Sequence, residues 1–460
     1  MFEIYLSSLL ASSFFRGTTD MVNLKNTNLL LLACLVVCAS SERTQASINL
    51  PRALHSKSKV CKSTLITNGN LIDTKTKKTQ LSDILVRDGR IVAIKKAGTI
   101  SNHLAAEVVN AKGLYVTPGL VDLHTHIYWG ATYWGIEADP VAARSGVTTW
   151  NDAGSSGAYT FPGLRKYVID QTRARAFVFL NIAAQGLTSR TYELIKASDV
   201  ADVELATWTI GNNTDVIKGI KVRMDSDATS GSGLEGLKRA RQVADKTKVP
   251  IMVHVGHTPP GIDDIAEYLG KGDILTHCFN GHENRLIDEN GQLRPVVHKL
   301  REKGVHFDVG HGGGSFDYLV AEKMIAAGFL PDSVSSDLHQ ISTLGSAQDL
   351  PTVLSKLLNL GIPLEELIAK ATLVPARILG HPELGRLQVG GPADIAIFKL
   401  EKGHFNFTDN TGNKRNGTMR IVNTHTFRDG VPMLQVEAAP PASWALRDAK
   451  VVSGAKPPTI

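Results

Sequence analysis

The chain has 460 residues, 43% hydrophobic and 20% charged, with 41 Gly and 19 Pro. That mixture excludes a disordered, collagen-like or disulfide-knotted protein and suits a large soluble enzyme. The formal net charge is +6, but no long Lys/Arg run carries it, so no nucleic-acid partner is expected.

In chain order, the first feature is the apolar run LLLLACLVVC at 29–38. It is far too short to span a bilayer, which takes roughly 20 helical residues, so no integral membrane span is expected. Lys25 before it and Ala39, Ser40 and Ser41 after it give residues 1–46 the layout of a signal peptide, with Met21 as an alternative start. The expectation is export, to a periplasm or to the medium; a buried N-terminal helix is the plainer alternative, and a lipobox at 31–34 the weaker one. Cys34, Cys38, Cys61 and Cys278 match no zinc or redox spacing outside this leader.

Residues 63–113 alternate apolar and polar between turn signals, as in TLITNGNLID and SDILVRDGRIVAIKKAG, and so does 381–434. These patches predict strands, hence one small β-sandwich domain built from both ends of the chain. Between them, 114–380 carries eight short apolar runs followed by helix-length amphipathic segments: LYVTPGLVDLH, VTTWND, AFVFLNI, IKGIKV, VPIMVH, DILTH, HFDVG and SVSSD. The pattern predicts an α/β fold, a (β/α)8 TIM-type barrel of about 250 residues. No glycine-rich phosphate fingerprint follows any of the runs, which disfavours a dinucleotide fold. The tail 435–460 is rich in Pro and Ala and is expected to lie loosely on the surface.

The first run ends in His124-Thr125-His126, and residues two apart in a strand face one side, so both imidazoles can reach one metal ion. Such pairs also occur on solvated strands. Lys221 lies in a later run, His254 and His277 end the next two, and Asp337 ends the last. In a barrel, strand C-termini form the catalytic face. Singly, a snorkelling lysine, hydrogen-bonded core histidines and a capping aspartate would account for these residues; jointly, packing explains them poorly.

This series, with the stretches GLVDLHTH, HIYWGATYWGIEADPVAARSGVTTWNDAGSSGA, IKGIKVRMDSD, GDILTHCFNG, FDVGHGGGSF and PARILG, resembles the amidohydrolase superfamily of metal-dependent hydrolases. Within it the chain is most similar to the amidohydrolase/deacetylase group often labelled dihydroorotase-like, over roughly 65–434. The resemblance implies two divalent ions, zinc first among the candidates. His124 and His126 would hold one and His254 and His277 the other, with Lys221, carboxylated by CO2, bridging them. An ammonium has no lone pair for a metal, whereas a carbamate supplies two oxygens. Asp337 would bind the first ion and act as general acid and base.

For substrate binding, Arg223 faces the same way as Lys221 and could clamp a carboxylate or serve a structural ion pair. Tyr128 and Trp129 could wall the pocket or pack the barrel top. Asn280, His282 and His311 sit in loops after strands, where a tight turn is the plainer reading. Val222, Asp225 and His257 depart from the residues expected in the nearest relatives and leave substrate choice open. The expected function is hydrolysis of an amide or ester of a small acylated carboxylate. The alternatives are a cyclic-amide hydrolase of the dihydroorotase or hydantoinase kind, an inactive scaffolding homologue, and, less well matched, an exported solute-binding protein. Homo-oligomerisation is left open.

Overall fold

The computed structural model describes residues 63–452. The leader at 1–46, with Cys34 and Cys38, and also Cys61, therefore lie outside the described residues. Among the described residues no helix is long and apolar enough to cross a membrane.

The chain opens with β1 (Ser63–Asp73), β2 (Lys78–Arg87), β3 (Arg90–Lys96), β4 (Glu107–Asn110) and β5 (Tyr115–Pro118), then enters the barrel at β6 (Leu120–Thr125). The run LYVTPGLVDLH, expected as a single strand, thus serves two sheets. Its first half pairs with β1, and the handover takes one residue: Gly119 N–H bonds the carbonyl of Asp394, while Leu120 N–H bonds that of Gly146.

Seven parallel strands follow one another around the barrel: β6, β7 (Val147–Ala153), β8 (Arg175–Asn181), β9 (Ile217–Met224), β10 (Ile251–Val255), β11 (Ile274–Thr276) and β12 (His306–Asp308). The eighth run, SVSSD, forms no regular ladder. It closes the ring through two isolated parallel bridges, Asp308 with Ser333 and Thr125 with Leu338. Side chains replace the missing ladder bonds, since Asp122 accepts the backbone N–H of Ser336 and Asp308 accepts the hydroxyls of Ser333 and Ser335.

Alternation on the strands sorts apolar from chemical residues. Ile220, Val222 and Met224 of β9 and Val253 and Val255 of β10 join an outer core with Leu237, Ala240, Val243 and Ala244 of the helix Glu235–Thr247. Burying each of the larger of these side chains stabilises the fold by about 1.5–3 kcal/mol. Their neighbours Lys221 and His254 consequently point into the barrel. Phe177, Phe179, Met252 and Ile274 join Val121 and Leu123 in a separate interior cluster.

After the barrel, β13 (Ile395–Thr408) and β14 (Lys414–Arg428) form a long hairpin, followed by β15 (Val431–Pro432). With β1 to β5 they complete one eight-stranded mixed sheet from both ends of the chain. Ile66, Ile84 and Val86 share an apolar cluster there with Ile395, Ile397 and Phe427. The hairpin tip returns to the barrel, where Asn410 donates to the carbonyls of His311 and Gly312.

As far as residue 452 the tail is anchored on the protein rather than lying loosely. Ser443–Val452 is a helix, Ala445 on it is fully buried, and the Trp444 ring stacks on Tyr133 at 4.4 Å. Tyr133 also hydrogen-bonds Asp448, and Ala442 N–H donates to Gln340. A composition rich in Pro and Ala concealed this because the anchoring face, Trp444, Ala445 and Asp448, spans little more than one turn of a ten-residue helix.

Candidate metal centre

His124, His126 and Asp337 converge into a buried group whose ligand atoms all lie within 4.8 Å of one another. Asp337 Oδ1 is 3.4 Å from His124 Nε2 and 3.2 Å from His126 Nε2. Beside them, His254 Nδ1 and His277 Nε2 face each other at 2.7 Å, and the rings of His124 and His277 are 5.0 Å apart. Lys221 Nζ lies 2.8 Å from His124 Nε2. Six side chains from positions 124 to 337 therefore meet at the C-terminal ends of the strands.

The far nitrogen of each ring is already engaged, which fixes where the lone pairs point. Thr276 gives its hydroxyl proton to Asp308 and so accepts from His124 Nδ1 at 2.9 Å. His126 Nδ1 meets the Ser155 hydroxyl at 3.0 Å, and His277 Nδ1 donates to the Gly310 carbonyl at 2.6 Å. Asp225 stands 3.7 Å from His254 Nε2. Four near nitrogens are left as acceptors turned on one another and on a carboxylate.

Backbone shape contributes as well. His277 and Asp337 adopt φ of 71° and 45°, a left-handed conformation that costs a non-glycine residue and persists where surroundings over-determine it. The Gly310–Gly312 turn packs directly on the site: a Cβ on Gly310 would lie 2.9 Å from His277 Nδ1, and one on Gly312 only 2.3 Å from Asp337 Oδ2. Gly310 and Gly312 of GHGGG are required by this close approach and by their positive φ, whereas a Cβ on Gly314 would meet nothing within 4 Å.

Burial shapes the electrostatics. It holds His124 and His277 well below the ordinary histidine range, helped by Lys221 and His254 respectively. It brings His254 down to about 4 against the opposing pull of Asp225. Burial by itself would raise Asp337, but His124 and His126 keep it well below the usual carboxylate range. Lys221 is pulled down by burial to about 7. Among the described residues no carboxylate lies within ion-pair distance of its amine, so neutral amine is available near physiological pH.

This donor set fits divalent cations. Asp337 Oδ1 is buried without a hydrogen-bond partner among the described residues, and imidazole nitrogens crowd around it, an arrangement that costs free energy unless a positive charge occupies it. The donors are nitrogen and oxygen with no thiolate, a set that suits hard and borderline divalent metals.

The residues expected to bind substrate make the following contacts with the protein itself. Arg223 Nη1 bonds both oxygens of buried Glu193 at 3.0 and 3.1 Å, the structural ion pair. Tyr128 is buried in the outer core with its hydroxyl on the Thr160 carbonyl, while Trp129 is exposed. Asn280 donates to the His277 carbonyl and accepts from His282 N–H, bracing its own turn; His282 Nε2 meets the Gly314 carbonyl. His311 is fully buried, stacked on Phe316 and bonded to Lys356. Arg223 Nη1, Asn280 and His311 thus have protein partners already. Cys278 is buried, and burial pushes its thiol well up.

Sequence reasoning missed Asp122, Thr276, Asp308 and Ser155, which orient the ligands. Asp122 stands two residues before His124 in DLHTH, Thr276 adjoins His277 in DILTH but bonds His124, and Asp308 ends a strand, so only their contacts reveal the role.

The amidohydrolase family model matches residues 115–424. The chain belongs to the amidohydrolase family. This amidohydrolase is 38% identical over 334 residues to a deacetylase of Agrobacterium fabrum, a match covering 72% of this chain and 81% of the relative. It is 40% identical over 334 residues to a deacetylase of Brucella anthropi, covering 72% and 82%. A crystal structure of an adenine deaminase aligns with a TM-score of 0.75 at 31% identity, covering 81% of this chain and 99% of that one. One of a dihydroorotase aligns at 0.73 and 34%, covering 82% and 99%. The amidohydrolase fold, a TIM-type barrel with a small β domain, and an activity as a hydrolase of carbon–nitrogen bonds follow from this membership.

Proposed function

We propose that the protein is a binuclear metal-dependent deacylase that removes an acyl group, acetyl in the first instance, from a small carboxylic acid. The observation that carries the reading is the unpartnered Asp337 Oδ1 between two imidazole nitrogens, beside the facing pair His254 and His277. The deacetylase relatives support the acyl group. His124, His126 and Asp337 would hold one ion, His254 and His277 the other, and carboxylated Lys221 both, with zinc favoured by the ligand types. When bound, such ions supply Lewis acidity toward a carbonyl and lower the pKa of water.

The chain's own groups do the rest. Asp337 Oδ2, which carries no hydrogen bond among the described residues, takes a proton from the attacking water and returns it to the leaving nitrogen or oxygen. Asp308, Thr276, Ser155 and the Gly310 carbonyl keep the imidazoles in the tautomer that leaves the near nitrogens bare. Export, suited to a scavenging deacylase, is proposed with it, and mass spectrometry of the mature N-terminus tests that part.

The deciding experiment measures metal content and turnover on N-acetylated and O-acetylated amino and hydroxy acids beside dihydroorotate and hydantoin. Two ions per chain with preference for the acetylated acids is expected. Turnover confined to the rings would transfer the assignment to a cyclic-amide hydrolase, a reading that the dihydroorotase structure keeps in view. No metal and no turnover after metal and bicarbonate are supplied would leave a non-catalytic homologue.

A further inference from the structure

Two residues after Asp337, His339 sits at the rim of the metal centre, its ring 6.4 Å from that of His126. Its two nitrogens are in different situations. Nδ1 accepts the backbone N–H of Ser342 at 3.3 Å, and the Ser342 hydroxyl in turn accepts His339 N–H at 2.9 Å, a reciprocal cap on the helix Gln340–Leu344. A ring nitrogen that accepts has no proton, so the neutral imidazole carries its hydrogen on Nε2. Nε2 has no hydrogen-bond partner among the described residues.

His339 is buried, 5% exposed, and this edge of its ring faces Gly313. A Cβ on Gly313 would lie 3.1 Å from His339 Cε1 and 3.3 Å from Nε2, so glycine there keeps the N–H open. The Trp134 ring meets His339 edge-on at 4.7 Å, and Tyr133 and then Trp444 of the tail helix extend the stack. The ring cannot easily turn away: its cap and its aromatic support fix it with one donor forward.

We infer that His339 is a substrate-binding residue whose Nε2–H donates a hydrogen bond to an oxygen of the acylated acid, beside His126 and Asp337. The inference rests on the deacylase reading above, and it replaces Arg223, whose charge Glu193 neutralises, as the polar contact to substrate. The oxygen is that of the acyl carbonyl or of the carboxylate; both are acceptors of the same kind.

His339→Asn separates the two functions of the ring, because an Asn oxygen can still cap the helix while nothing replaces Nε2–H. With N-acetyl amino acids as probes, the variant should keep its metal content and melting temperature, and its KM should rise tenfold or more with kcat changed less than threefold, in line with loss of one donor to a polar acceptor. Gly313→Ala, which leaves His339 in place and crowds Nε2, should raise KM in the same direction. Loss on the free acids but not on their primary amides assigns the contact to the carboxylate; equal loss on both assigns it to the acyl oxygen. Unchanged KM for His339→Asn on acids and amides overturns the inference. If the metal-loaded wild type turns over none of these probes, the deacylase reading fails by itself. The His339 contact is then judged by long-range proton–nitrogen NMR of the imidazoles: a proton found on Nδ1 rejects it, and a proton on Nε2 upholds the forward donor.

Discussion

Asp122 accepts two hydrogen bonds from Ser336, one from its backbone N–H at 2.9 Å and one from its hydroxyl at 2.5 Å. The bond pins the residue just ahead of Asp337, whose left-handed φ of 45° needs such support. Asp122→Ala leaves a buried N–H without an acceptor, at a cost of about 1–3 kcal/mol, and lets Asp337 drift. Metal affinity should fall about 10- to 100-fold, the usual loss when a ligand's support is removed. Metal titration with a competing chelator measures it; an unaltered affinity would mean that the Gly310–Gly312 turn holds Asp337 alone.

Lys221 offers a pH test of carboxylation. Its pKa is lowered by burial to about 7, so the reactive neutral amine predominates above that pH and declines below it. Metal-stripped protein given zinc and bicarbonate should regain metal several-fold faster at pH 8 than at pH 6. Lys221→Met should regain little at either value. Equal rates for the wild type at both pH values would argue against a carbamate.

The tail helix predicts a remote effect. Trp444→Ala removes the outer ring of the stack that ends on His339, while the six proposed ligands are untouched. Metal content should stay constant, amide exchange of residues 127–136 should quicken, and KM should rise several-fold. Exchange that does not change would show that Tyr133 is held by Asp448 without the stack.

Lys356 ties His311, Ser346 and Thr408 together through one amine. Burial lowers its pKa from 10.5 to about 7, against the pull of Asp409. Between those values the unfolded chain binds a proton that the folded chain does not, so this group makes stability rise with pH across the window. Urea denaturation at pH 7 and pH 10 should show that rise in the wild type and a smaller one in Lys356→Met. Parallel slopes would place the titration elsewhere.

The placement of His124, His126, Lys221, His254, His277 and Asp337 was legible because strand alternation is local: each lies at or near the end of a β-branched run, and period two decides its face. The barrel and the two-ended β domain were legible for the same reason. The split of LYVTPGLVDLH was not, because both halves are equally apolar and only the Gly119 hydrogen bonds to Asp394 and Gly146 show which sheet takes which half. Arg223 could not be separated from a substrate clamp while Glu193, thirty residues away, was out of view.

What the amino-acid order determined by itself was which residues face inward and at which end of the strands, since backbone geometry repeats every two residues. What the tertiary structure decided was which nitrogen of each imidazole is bare, which carboxylate lacks a partner and where the tail goes. Those depend on hydrogen bonds between segments as far apart as Asp122 and Ser336, separated by 214 positions, and on burial, which no local pattern encodes.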